Sequence, residues 1–77
     1  MQLSCELTDT FCGEANYSWV RRAEVDLPDS ATPRQQITAA KAALGLTGCR
    51  CVKSDYGDLI ELRPIGSCTV AFITYQS

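Results

Sequence analysis

The most constraining feature of the sequence is a single helix start signal, Thr32-Pro33-Arg34-Gln35, set between stretches that alternate with a period of two. Thr32 is placed to cap, Pro33 to occupy the first helical position and Gln35 to complete a capping box. Ile37, Ala40 and Leu44 then fall on one stripe, backed by Ala39, Ala43 and the stem of Lys41, while Arg34, Gln36 and Thr38 face water. Gly45 suits the left-handed position after the last turn and Leu46 the apolar contact beyond it, so a helix is expected from about Pro33 to Leu44. Its alanine-rich face lets it lie close on a sheet.

Strands are expected on both sides of the helix. Leu3, Cys5 and Leu7 alternate with polar neighbours as a first strand. After a loop over Thr8 to Glu14, Ala15, Tyr17, Trp19, Ala23, Val25 and Leu27 take the odd positions of a long second strand, with Tyr17 and Trp19 on its inward face. Arg21 breaks that alternation, so Arg21-Arg22 marks a bulge or bend. Gly48 to Lys53 and Leu59 to Arg63 read as two strands joined by a turn over Ser54 to Asp58, in which Gly57 takes positive φ. Pro64, Ile65 and Gly66 make a second turn. Cys68 to Tyr75 is apolar on both faces and belongs in the sheet interior. The expected fold is α+β: one domain over residues 1–77, ordered ββαβββ, with an antiparallel sheet of four or five strands and one helix. No internal repeat or linker divides it. At ordinary per-residue values its stability is roughly 4 to 11 kcal/mol.

Seven basic and nine acidic residues give a net charge of -2, which argues against nonspecific attraction to nucleic acid or anionic lipid and favours a basic partner. No apolar run approaches membrane-spanning length and no secretory signal is apparent, so a soluble, cytoplasmic protein is expected. The five cysteines, Cys5, Cys12, Cys49, Cys51 and Cys68, are odd in number and are read as reduced, with all but Cys12 in strand interiors. Cys49-x-Cys51 lacks the spacing of a zinc knuckle, and no metal or cofactor is expected.

The chain has no histidine, the usual general base near neutral pH, and only Lys41 and Lys53 as lysines, so no catalytic apparatus is expected. Two acidic clusters stand out: Glu6, Asp9 and Glu14 around the first hairpin, and Asp55, Asp58 and Glu61 around the later turn. Solvated turn residues are the simpler reading. The functional one has Asp9, Glu14, Asp55, Asp58 and Glu61 present carboxylates to a basic groove, with Tyr56 as aromatic anchor. Arg21, Arg22, Arg50, Lys53 and Arg63 would form a small basic strip if they shared the outer face of the sheet.

Several segments carry a resemblance over nearly the whole chain. Glu6-Leu7-Thr8-Asp9-Thr10-Phe11, Gly13-Glu14-Ala15-Asn16-Tyr17, Trp19-Val20-Arg21-Arg22, Asp55-Tyr56-Gly57-Asp58, Ile60-Glu61-Leu62 and Cys68-Thr69-Val70 look like a family of short phage and prophage proteins. Cys12 and Cys51 stand where noncysteine residues are expected in such relatives, which disfavours a cysteine-based site. Small acidic phage proteins without enzymatic residues resemble anti-CRISPR inhibitors. The resemblance implies a partner of that kind: a host CRISPR effector of type I, for instance type I-C, whose DNA-entry groove the acidic turns would occupy. The alternatives are a DNA-linked phage accessory protein using the basic strip, and a structural partner that oligomerises through an edge, either the first strand or the third-to-fourth hairpin.

Overall fold

A computed structural model describes residues 1–76. The strands are β1 (Gln2–Phe11), β2 (Glu14–Asp26), β3 (Cys51–Asp55), β4 (Leu59–Pro64) and β5 (Thr69–Gln76), with helix α1 (Pro33–Ala43) between β2 and β3. They form one antiparallel five-stranded sheet ordered β2-β1-β5-β4-β3. The expected α+β class and element order are therefore observed. So is the interior place of the last strand: β5 lies between β1 and β4, and Val70, Ala71 and Ile73 are fully buried.

The helix begins as its sequence dictates. The Gln35 amide donates to Thr32 Oγ1 at 3.2 Å and the Thr32 amide to Gln35 Oε1 at 2.9 Å, closing the capping box. It closes at Ala43, with Leu44 as cap, one residue inside the expected end. Gly45 takes φ +75°, the Leu46 amide bonds Lys41 O at 2.7 Å and the Gly45 amide bonds Ala42 O at 3.2 Å, the paired bonds of a Schellman ending. The core lies between this helix and one face of the sheet: Ala40, Leu44 and Leu46 meet Leu3, Cys5, Leu7, Ile60, Leu62, Ala71 and Ile73. Gln36, expected to face water, is buried instead, and its Nε2 donates to Ala31 O at 3.1 Å.

Five other expectations are corrected. The irregularity in the hairpin is not at Arg21-Arg22, which pair regularly with Leu7 and Glu6. It lies where Thr8 to Thr10 faces Val20 back to Ala15, so β2 takes five residue steps (20 minus 15) against two on β1 (10 minus 8). The odd surplus inverts the phase of the alternation. Tyr17, at φ +56°, and Trp19 consequently leave the core and stand 51% and 44% exposed. β3 begins at Cys51 rather than Gly48, because Gly48 takes φ +81° and the Cys49 amide bonds Leu46 O, keeping the chain in a turn. Of the cysteines only Cys5 is buried; Cys51 is half-buried, and Cys12, Cys49 and Cys68 are exposed in turns or beside strand starts. Finally, β1 is not an edge: the free edges belong to β2 and β3.

Candidate functional site

The antiparallel register fixes where each candidate residue stands. β1 and β4 run the same way, so the β1–β2 and β3–β4 turns lie at opposite ends of the sheet. Leu59, just after the second turn, is level with Thr74 and Ser4, whereas Glu14 is level with Phe11. Ser4 to Phe11 is seven residue steps along β1, about 23 Å if extended. Glu14 and the Asp55–Asp58 turn are therefore not brought together into one surface, although Glu6 and Glu61 share a sheet face.

Asp9 and Glu61 are engaged inside the molecule. Asp9 sits opposite the extra residues of β2 and binds them: Asn16 Nδ2 donates to Oδ2 at 3.0 Å, the Ser18 amide to Oδ1 at 3.0 Å, and the Ser18 hydroxyl to Oδ2. The Ser18 and Asn16 side-chain bonds hold its pKa down at about 2, against an opposing desolvation. This carboxylate organises the bulge. Because the folded pKa lies below the unfolded value of about 3.9, its contribution is full above pH ~4 and is lost as the pH falls through about 2. Acid titration should therefore loosen the Ser18 amide over that window, read as amide exchange by NMR, and Asp9→Ala should remove the transition there. An unchanged Ser18 profile in that variant would refute the assignment. A local probe is required because Asp29, whose pKa is lowered by a hydrogen bond to the chain's amino group, titrates on another segment.

Glu61 Oε2 lies 3.0 Å from Arg63 Nε, and the pair stands on the sheet face opposite the helix. Asp55 uses Oδ1 to accept the Gly57 amide at 2.8 Å, shaping the β3–β4 turn around a glycine at φ +92°. Tyr56 is 62% exposed between Asp55 and Asp58, both of which are also exposed. Glu14 is exposed at the far hairpin. The surface the acidic residues offer to a partner thus reduces to the Asp55–Asp58 turn, with Glu14 apart from it.

The register also divides the expected basic strip. Arg21 and Lys53 pair with Leu7 and Leu62, on the helix side, whereas Arg22 and Arg63 stand on the open side. Arg22 is paired with Glu6 at 3.1 Å and Arg63 with Glu61. The four strand residues are thus split between the two faces and Arg50 stands exposed ahead of β3, so the expected single strip on the outer face of the sheet is not formed.

The open face carries a feature that the alternation pattern hid. Glu6, Phe72 and Glu61 are directly paired across β1, β5 and β4, so one aromatic ring lies in a row between two carboxylates. Beside that row Ser4, Glu6, Tyr17, Leu59, Phe72 and Thr74 line an open cleft of about 310 Å³. Tyr17 reaches it because the bulge throws this residue off the core face, and the neighbouring Glu6 carboxylate raises the pKa of its phenol. Over the same face Arg63 Nη1 donates to Gly13 O at 2.8 Å, tying the curled hairpin tip to β4. The alternation did not mark where β2 changes phase: its one visible break, Arg21, pairs regularly with Leu7. The cleft offers aromatic and apolar walls with a polar rim, but no cysteine or lysine.

Among the described residues no cluster of histidine, cysteine, aspartate or glutamate is arranged to hold a metal ion, and no helix is long and apolar enough to cross a membrane. Fold and site together define a small α+β domain with a charged, aromatic turn at one end of its sheet and a shallow cleft on its open face. Compared with protein-family models, curated proteins and solved structures, the chain matches none.

Proposed function

We propose that this is a non-enzymatic, cytoplasmic phage protein that inhibits a host type I CRISPR effector by binding it and blocking engagement of target DNA, with type I-C as the first system to test. The reading is supported by one observation above the others: the β3–β4 turn projects Tyr56, largely exposed, between two exposed carboxylates, Asp55 and Asp58. On a protein with a net charge of -2, such a turn suits a groove lined by lysine and arginine. The charges would steer the encounter and the ring would fill a pocket as anchor.

Asp55 also shapes the turn, so reversing its charge would confuse binding with folding. The cleaner variants are Tyr56→Ala and Asp58→Lys, with Asp55→Asn keeping an acceptor for the Gly57 amide. Tagged protein incubated with assembled type I effectors should retain them in a pull-down. Tyr56→Ala should weaken binding by roughly thirtyfold, equivalent to about 2 kcal/mol, and Asp58→Lys by roughly tenfold, within the range of interfacial charge pairs. Undiminished capture and inhibition by the Tyr56→Ala/Asp58→Lys double variant, with unchanged melting, would eliminate this surface.

A further inference from the structure

We propose that two copies of this chain pair through the free edge of β2, antiparallel about a two-fold axis at Ala23, making one continuous ten-stranded sheet. The argument starts from which backbone groups are free. The Leu27 amide bonds Met1 O at 2.9 Å, and the register from Gln2↔Asp26 to Thr8↔Val20 is unbroken. In an antiparallel ladder bonded and non-bonded pairs alternate, so the odd residues Leu27, Val25, Ala23 and Arg21 spend their N–H and C=O groups on β1. Those of Val20, Arg22, Glu24 and Asp26 point outward, along an edge with no partner strand.

Charge selects the register and the partner. An axis at Ala23 sets Arg22 opposite Glu24 of the other copy, twice, and uses the outward groups of both. An axis at Arg22 opposes Arg22 to itself, one at Glu24 sets Arg22 against Asp26 but opposes Glu24 to itself at the centre, and one at Val25 opposes Glu24 to Asp26. With the axis at Ala23, the new pairs extend networks already present on the open face, where Arg22 Nε binds Glu6 at 3.1 Å and Gln2 Nε2 binds Glu24 at 3.0 Å. The charged edge discourages unrelated strands, yet Arg22-Ala23-Glu24 matches its own reversed copy. On the helix side the same edge presents Ala23, Val25, Leu27 and Ile37, all only partly buried, which a second copy would cover. The other free edge, β3, has five residues against thirteen in β2.

The test is the mass of the full-length protein by sedimentation or light scattering across a concentration series. The wild type should form dimers. Arg22→Glu and Glu24→Arg should each raise the dimer dissociation constant by roughly tenfold or more, since two attractive cross-strand pairs become repulsive. Mixing these two variants should restore association as a heterodimer, because every pair across the axis is then of opposite sign. Wild-type protein that stays monomeric, or a mixture no more associated than its components, overturns the proposal. A second variant covers the case of poor folding: Ala23→Cys should cross-link to itself on mild oxidation, because residues facing each other at a non-bonded pair lie about 4.5 Å apart between Cα atoms. Val25→Cys should give no such link, since Arg21 of the other copy stands opposite. Peptide mapping separates the position-23 link from any formed by the exposed native cysteines, and its absence likewise overturns the axis.

Discussion

Replacing Ile73 by alanine should lower the free energy of unfolding by about 2–5 kcal/mol, the largest effect expected of any truncation in this chain. Ile73 is fully buried in the central strand and is paired on one side with Cys5 and on the other with Ile60, so neither neighbour can collapse into the space without breaking the ladder. At the lower end of a total of roughly 4 to 11 kcal/mol, that loss would leave a large fraction of molecules unfolded near body temperature. Urea titration with circular dichroism measures it directly. A loss under about 1 kcal/mol would mean that the core is not packed around β5.

Thr8→Val should cost about 1–3 kcal/mol although it preserves volume and removes a buried hydroxyl. The hydroxyl is the hinge of the bulge: it accepts the Tyr17 amide at 3.0 Å and donates to Trp19 O at 2.9 Å, on a residue with no solvent exposure. Valine would leave that amide and that carbonyl without their partner on a strand whose phase has already inverted. The Trp19 emission spectrum should shift together with the loss of stability, because the change acts on its own backbone. A Thr8→Val protein as stable as the parent, with unaltered Trp19 emission, would show that Asp9 holds the bulge by itself.

Most of the architecture was legible because it rests on local rules. The helix is bounded by a capping box and a glycine stop that need no tertiary information, and β5 announced its interior place by being apolar on both faces. What escaped was phase. Strict alternation put Tyr17 and Trp19 inside, and nothing local records that Thr8 and Asp9 bind the backbone of a strand that departs from register. The one visible break in the alternation, Arg21 on the apolar face, has a different cause, its reach: Nη1 extends to Leu44 O at 3.3 Å, at the end of the helix. The acidic residues were legible as solvated turns at Glu14, Asp55 and Asp58. Asp9 and Glu61 were not, because their internal partners follow from pairing across strands. The cysteines misled for a similar reason, since a small apolar residue at a strand end looks the same in sequence as one inside it.

The strand order has a consequence for how the chain reaches this state. The two outer pairs, β1–β2 and β3–β4, are hairpins that can close locally, but each presents half of an apolar floor with nothing beside it. β5 is the keystone, since it is the strand that pairs with both hairpins, and its pairing with β1 joins residues as far apart as Gln2 and Gln76. Closing so long a loop is an entropic cost met only when most of the core condenses at once. Until the segment from Thr69 onward is in place, the ribosome or a chaperone would be handling two sticky half-sheets rather than a partly finished domain.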